Sequence, residues 1–485
     1  MTRQDAAPLW TGEAARAAMD ATAHGALPAR IDGVSIDTRT LQPGDLFVAI
    51  VGDTNDGHDY VAQAFAEGAA AAVVAHDRAA ALAGHGPLLA VEDTLAGLER
   101  LGRAARARTD AKIVAITGSV GKTGSKEALK VVLERAGRTH ASAASYNNHW
   151  GVPLTLARMP AETEYGVFEI GMNHAGEIAP LTRMVRPHVA IVTTIEAVHI
   201  ENFREIRGIA DAKGEIFLGL EPGGVAVINR DNPHCERLAL LAAASRAGRI
   251  VTFGEDERAD VRAETIVTKP DLSIVDARVL GARLAYRMGM AGRHIALNSL
   301  AVLAAVKALG VDLALAALAL GDVEPPAGRG ARSEIAVVGG TITLVDESYN
   351  ANPASVRAAL DTLGQMELPW RGRRVAVLGD MLELGPEGPR LHRELAPVAL
   401  AAGVDLVFTV GPLMKGLHGA LPPERRGGWA ETSDALAPTV AGALRAGDIV
   451  MVKGSRGVRT ERIVKAIEER YSGAAAAAAA AGREG

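Results

Sequence analysis

With 485 residues the chain is long enough for two to four domains at roughly 100–200 residues each, and a content of 48% hydrophobic and 22% charged residues excludes a disordered or fibrous protein. Lys and Arg total 52 against 57 Asp and Glu, so the net charge of −5 provides no global electrostatic footprint for nucleic acid. Cys235 stands alone and cannot form an internal disulfide, no apolar signal core opens the chain, and no uncharged apolar run reaches the ~18 residues of a membrane span, which together point to a cytoplasmic protein without membrane insertion.

Up to about residue 110 the chain contains no lysine. Short β-like runs such as 46–50 alternate there with alanine-rich helical stretches around 62–72 and 95–106. A second block opens at Lys112 with a strand over 113–116, a glycine turn, and a helical pattern from Lys122 to about Ala136. Strand-like runs recur at 167–170, 189–193 and 225–228 with helical segments between them, an alternation that predicts a largely parallel sheet covered by helices. A Pro/Gly cluster at 325–330 marks a boundary. The third block repeats the alternation, with strands at 341–346, 375–378, 406–410 and 449–452 and helices from Pro353 and Pro386. Eight alanines at 474–481 form a low-complexity tail expected to fray. These patterns predict an α/β protein of three domains: a small mixed domain over 1–110, a parallel-sheet domain with a phosphate loop over 111–328, and a Rossmann-like domain over 329–472. A tail over 473–485 follows.

The densest chemistry lies in Thr117-Gly118-Ser119-Val120-Gly121-Lys122-Thr123, which follows an apolar strand and opens a helix. Ile116 stands where the longer GxxxxGK[ST] loop has its first glycine, so the loop is the shorter GxxGKT. Gly118 and Gly121 let backbone N–H groups converge on phosphate oxygens, and the helix N-terminus adds partial positive charge. Lys122 can then neutralise β/γ-phosphate charge, and the Thr123 hydroxyl can ligate Mg²⁺. ATP and Mg²⁺ are the expected cofactors; an ordinary strand–turn–helix with a solvated lysine is the plain alternative.

Other runs join this loop. They are Asp37-Thr38-Arg39, Asp56-Gly57-His58-Asp59, Asn147-Asn148-His149-Trp150-Gly151-Val152-Pro153, Glu169-Ile170-Gly171-Met172-Asn173 and Ala212-Lys213-Gly214-Glu215. Asp346-Glu347-Ser348-Tyr349-Asn350-Ala351-Asn352-Pro353, Gly379-Asp380-Met381-Leu382-Glu383-Leu384-Gly385 and Lys453-Gly454-Ser455-Arg456 complete the set. Together, over about residues 30–470, they resemble the Mur ligases, the ATP-dependent amide-forming enzymes of peptidoglycan synthesis. Gly124, where small hydroxyl residues are common, and the run 194–199 depart from the family pattern without removing a charged or ligating group.

The resemblance implies a first domain that binds a UDP-sugar, a central domain that binds ATP and a third that binds the acceptor. The 348–353 and 379–385 runs favour the branch that joins D-alanyl-D-alanine to UDP-N-acetylmuramoyl-tripeptide, over a branch that adds a single amino acid. The chain is expected to work as a monomer. Around the nucleotide the resemblance assigns Gly118, Ser119, Val120, Gly121, Lys122, Thr123 and Gly124. Glu169 becomes a Mg²⁺ ligand, although it could instead cap the following helix. His199 falls near the metal, although a lone histidine is more often a structural hydrogen-bonder. Lys213 becomes a carbamate-forming metal ligand, with a surface lysine paired to Glu215 or Glu201 as the alternative.

Asn298 is implied at the adenine or, failing that, as a helix N-cap. Asp346 is implied at the ribose or phosphates, and Tyr349, Asn350 and Asn352 at the acceptor, although the same run could be turn chemistry before Pro353. Arg329, in the Gly-rich hinge, can supply positive charge to the transferring phosphoryl group. Lys453 and Arg456 are implied at the acceptor carboxylate, with a solvated helix start as the alternative. Asp37, Thr38 and Arg39 resemble the UDP-sugar docking region, and Asn147 and Asn148 complete the substrate set. A regulatory nucleotide-binding module without chemistry is the rival reading, which the joint presence of Lys122, Thr123, Glu169, His199 and Lys213 disfavours.

Overall fold

The computed structural model describes residues 7–143, 146–198 and 200–481. His199, assigned above to the metal site, lies outside the described residues. Three sheets of five, nine and six strands follow one another along the chain, as an α/β reading of the sequence predicts.

The first sheet is ordered Thr22–His24, Leu88–Val91, Ala71–Ala75, Asp45–Val48, Gly33–Ser35, with the first pair antiparallel and the others parallel. Its strands are short and apolar because both faces are covered. Leu46, Val48, Val73 and Leu89 enter one core, and Phe47, Ala72, Val74 and Leu88 enter the other. This domain is bound to the next by polar ties. Arg108 stacks 3.6 Å over the Trp10 ring and donates to Leu9 O and Met159 O. Trp10 Nε1 donates to Ala157 O at 2.9 Å, and Arg158 Nε to Val34 O at 2.6 Å.

In the central sheet, seven parallel strands run from Thr139–Ala141 at one edge through Tyr165–Glu169, Lys112–Thr117, Val189–Val192, Gly224–Asn229 and Ala247–Gly254 to Val261–Thr268. The antiparallel strands Ser273–Val279 and Ala282–Met288 complete it. The last four strands escaped the sequence reading, and the reason is visible in Ser273–Val279. Alternate residues there are buried and exposed, so Asp276 and Arg278 interrupt any apolar run. Lys112–Thr117 lies in mid-sheet, sending Val114 and Ile116 to one core and Ile113 and Ala115 to the other. Helix Arg293–Ala308 is apolar nearly all round and correspondingly buried against the first of these cores.

The third sheet is ordered Ala331–Val337, Gly340–Glu347, Ile449–Lys453, Arg374–Gly379, Leu406–Val410, Arg426–Ala430, parallel throughout except for the first pair. Its final helix, Glu461–Ala481, continues through the alanines expected to fray. Alanine has the highest intrinsic helix propensity, so the run prolongs the helix.

Candidate active site

Strand Lys112–Thr117 delivers the phosphate loop to the carboxyl end of the central sheet, where open α/β sheets bind ligands. Two glycines are required there by space as well as by backbone angle. At Gly118, with φ +148°, a Cβ would collide with Thr193 Oγ1; at Gly121, with φ +85°, it would collide with Asn298 Nδ2. The loop is laced to the neighbouring strand end. Thr193 Oγ1 donates to Val120 O at 2.6 Å and Ser119 N to Thr194 O at 2.9 Å. Ser119 Oγ also donates to Glu196 O and accepts from Glu196 N.

Helix Lys122–Glu134 then begins without a side-chain cap, so its first amides are left for a ligand. Lys122 Nζ folds back onto Gly118 O at 2.7 Å. Its pKa is lowered, chiefly by desolvation, with Glu169 opposing that shift and Arg329 adding to it.

Glu169 ends strand Tyr165–Glu169 and is almost fully buried. Its Oε2 accepts from Thr123 Oγ1 at 2.9 Å and its Oε1 from Asn147 Nδ2 at 2.8 Å, so it does not cap the following helix. Thr123 and Glu169 offer hard oxygen donors of the kind Mg²⁺ takes. Among the described residues no cluster of three His, Cys, Asp or Glu could hold a metal. A two-oxygen protein contribution suits Mg²⁺ beside a nucleotide, where phosphates and waters complete the octahedron.

Asn148 Oδ1 accepts from Gly151 N at 2.9 Å in the turn that leads into helix Gly151–Ala157. Lys213, on helix Ile206–Gly214, is buried rather than on the surface. Glu215, its expected partner, instead accepts from Gly176 N and Ala179 N. No ion pair forms at Lys213 among the described residues, and desolvation, followed by the Lys122 charge, holds its pKa well below the usual lysine value.

A cavity of about 1230 Å³ joins this loop to the third domain. Lys122, Thr123, Gly124, Asn147, Asn148, Glu169 and Asn298 form one wall; Tyr349, Asn350, Asn352, Lys453 and Arg456 form the other, with Arg329 between. The Arg329 guanidinium lies 4.1 Å from the Tyr349 ring centroid and that of Arg456 lies 5.7 Å from it, so one ring supports two cations. Lys453 is buried and donates to Glu347 Oε2 and Asn350 O, both at 3.0 Å, which removes the solvated alternative for it, whereas Arg456 is exposed at the start of the short helix Arg456–Val458. Asn352 N-caps helix Pro353–Gln365 in a capping box with Ser355, so turn chemistry and cavity lining coincide in one residue.

Two expectations require correction. Asn298 does not start its helix: Gly292 is the N-cap, and Asn298 lies within the helix facing the phosphate loop. Asp346 does not line the cavity, because its carboxylate turns back to accept from Ser348 N at 3.0 Å. Glu347 lines it instead, since successive strand residues point to opposite faces. The signal for Glu347 was available only through register, where the parallel pairing sets Glu347 against Lys453. Asp37, Thr38 and Arg39, implied at the UDP-sugar rather than here, lie outside this cavity, and Arg39 forks onto Asp37, holding its carboxyl below the usual range.

Comparison with known proteins decides the family. The description "Mur ligase family, catalytic domain" matches residues 30–109, "Mur ligase middle domain" matches 116–306, and "Mur ligase, glutamate ligase domain" matches 331–456. The UDP-N-acetylmuramoyl-tripeptide–D-alanyl-D-alanine ligase of Escherichia coli K12 is 34% identical over 90% of this chain and 94% of its own. The chain belongs to the Mur ligase family. The ligase of the same name from Rickettsia prowazekii is 32% identical over 89% of this chain and 94% of its own. Among solved structures, MurF from Acinetobacter baumannii superposes with a TM-score of 0.81 at 29% identity, covering 95% of this chain and 99% of that one. MurF from Thermotoga maritima in complex with ADP superposes with a TM-score of 0.74 at 25% identity, covering 91% and 98%. The three-domain α/β fold is thus that of the Mur ligases.

Proposed function

We propose that this chain joins D-alanyl-D-alanine to UDP-N-acetylmuramoyl-tripeptide, consuming ATP and releasing ADP and phosphate. The observation that carries this reading is the single cavity that places the phosphate loop and the Thr123–Glu169 pair opposite Tyr349, Lys453 and Arg456. A terminal tripeptide carboxylate oxygen attacks the γ-phosphorus and the bond to ADP breaks, giving an acyl phosphate. The dipeptide amine then attacks the acyl carbon, a C–N bond forms, the amine gives up a proton and phosphate leaves.

The chain's part is positioning and charge neutralisation. Amides of 118–123 cradle the phosphates, Lys122 swings from Gly118 O onto transferring charge, and Arg329 adds a second cation from the hinge. Asn298 meets the base, and Glu347, in place of Asp346, faces the nucleotide's hydroxyl groups. Arg456 and Lys453 meet the acceptor carboxylate, with Tyr349 bracing the arginine. Asp37, Thr38 and Arg39 dock the UDP end, and Asn147 and Asn148 the sugar-peptide side. Mg²⁺ held by Thr123 and Glu169, with His199 and a carbamylated Lys213 proposed as its further partners, would neutralise phosphate charge. A buried lysine whose neutral amine is favoured is suited to capture CO₂.

ATP and a nucleotide-linked substrate belong to the cytoplasm, and no helix among the described residues is long and apolar enough to cross a membrane. Both cavity walls come from one chain, which supports action as a monomer. The test is phosphate release. ATP with the sugar tripeptide should release little until D-alanyl-D-alanine is added, for tripeptides ending in either meso-diaminopimelate or L-lysine, whichever is the substrate. Equal release with and without the dipeptide overturns the proposal.

A further inference from the structure

Lys126 is completely buried, and burial penalises an ammonium group unless partners accept its hydrogen bonds. The chain uses only ten lysines among its 52 basic residues, so a lysine kept in the interior is a specific choice. It follows Lys122 by four residues on helix Lys122–Glu134 and shares its face one turn further on. Its Nζ donates to Ser142 O at 2.8 Å and pairs with Glu127 Oε1 at 2.7 Å.

Ser142 stands just beyond strand Thr139–Ala141 and is itself buried. Its N donates to Val167 O at 3.0 Å, and its Oγ accepts from Glu169 N at 3.3 Å. Five residues on, Asn147 donates to Glu169 Oε1, and its carbonyl accepts from Gly171 N at 2.8 Å. Sheet hydrogen bonds fix strand Tyr165–Glu169 against Lys112–Thr117, but they do not fix the rotation of the helix packed over them. A tie from that helix to the backbone that supports Glu169 adds to what the buried Ala128, Leu129 and Val132 and the Thr123–Glu169 hydrogen bond already fix.

We propose that Lys126 is a positioning residue: its ammonium fastens Ser142 to the phosphate-loop helix and thereby sets Glu169 against Thr123 in the spacing a divalent cation beside a nucleotide requires. The proposal rests on the reading of Thr123 and Glu169 as the Mg²⁺ oxygens. Arginine is no substitute, because a planar fork of five donors does not reproduce a compact ammonium in its contacts to a carbonyl and a carboxylate.

The experiment is calorimetric binding of ADP to the full chain with and without Mg²⁺. Lys126→Met keeps an unbranched stem and removes the charge. It should leave Mg²⁺-free ADP affinity within about twofold while lowering the Mg²⁺-dependent enhancement by roughly tenfold, as loss of an outer-shell metal partner does. Ser142→Ala, which keeps the carbonyl that Lys126 uses but removes the hydroxyl beneath Glu169 N, should lower the enhancement by about threefold. Lys126→Arg should not restore it. Wild-type enhancement in both Lys126→Met and Ser142→Ala, or an equal loss of ADP affinity with and without Mg²⁺, overturns the proposal. If Lys126→Met does not fold, Ser142→Ala decides by the same criterion. Absence of any enhancement in the unaltered protein would instead overturn the metal-ligand reading on which the proposal stands.

Discussion

Thr123 Oγ1 donates to Glu169 Oε2 across 2.9 Å, joining the first turn of the phosphate-loop helix to the end of the adjacent strand. These are the two protein oxygens assigned to Mg²⁺, so the hydrogen bond holds the pair ready for a cation. Thr123→Ala should lower kcat/KM for MgATP by roughly 10–100-fold, whereas Thr123→Ser should stay within about threefold. Steady-state rates measured over a Mg²⁺ titration provide the check. Near-normal rates for Thr123→Ala would reduce the hydroxyl to a structural role.

Lys213 is buried, with its pKa well below the usual value, so its neutral amine is unusually available. Activity should therefore fall after thorough CO₂ removal and return with bicarbonate. Short carboxylic acids should partly rescue Lys213→Ala, because they can occupy the place of the carbamate oxygens. They should not rescue Lys213→Arg, which neither captures CO₂ nor vacates the space. Indifference of the unaltered protein to CO₂, together with failed rescue, would leave the lysine unmodified.

What the sequence disclosed was chemistry concentrated in consecutive residues. Gly118, Gly121, Lys122 and Thr123 were legible because glycine conformation, helix onset and phosphate binding are local demands met within one short run. The place of Glu169 at a strand's carboxyl end was legible from the apolar run before it, while its link to a metal came from the family resemblance. The choice between Asp346 and Glu347 was not, since it depends on which strand face turns to the cavity. Lys126 was equally hidden: nothing beside it in sequence reveals that Ser142 will lie against it. Strands such as Ser273–Val279 were missed because their exposed alternate positions carry charge.

The two guanidinium groups around Tyr349 predict a distinction between its ring and its hydroxyl. Tyr349→Phe keeps the ring face and should retain turnover within about threefold, because the cation–π contact is worth about 0.5–2 kcal/mol. Tyr349→Ala removes the support for both arginines and should raise the KM for D-alanyl-D-alanine and lower kcat by about tenfold, if both contacts are lost. Kinetics at saturating ATP separate the two effects. Equal loss in both variants would shift the role from the ring to the phenol.

His392 predicts an acid limit to the stability of the third domain. It is fully buried, its Nε2 accepts from Met381 N at 2.9 Å, and its Nδ1–H donates to Gly388 O at 2.6 Å. Desolvation lowers its pKa below the ordinary 6.5, against the opposing influence of Gly388 O and Asp380. Above that ordinary value both folded and unfolded chains hold it neutral, and its contribution is complete. As the pH falls below it, the unfolded chain binds a proton that the fold refuses, so stability declines by up to about 1.4 kcal/mol per pH unit until the folded pKa is reached. His392→Gln keeps an acceptor without a comparable titration and should flatten part of the slope in melting temperature between roughly pH 7 and 5. His140, His188, His294 and His418, whose pKa values are also lowered chiefly by burial, leave the remainder. An unchanged slope would exclude His392 as its source.

The central claim is that one cavity carries a carboxylate through an acyl phosphate to an amide. Its most direct test labels the terminal carboxylate of the sugar tripeptide with ¹⁸O, supplies ATP, Mg²⁺ and D-alanyl-D-alanine, and determines the masses of both products. The account predicts a peptide product heavier by the dipeptide less one water, together with one ¹⁸O atom in each phosphate released from fully labelled carboxylate. Unlabelled phosphate, or phosphate release without the longer peptide, would contradict it.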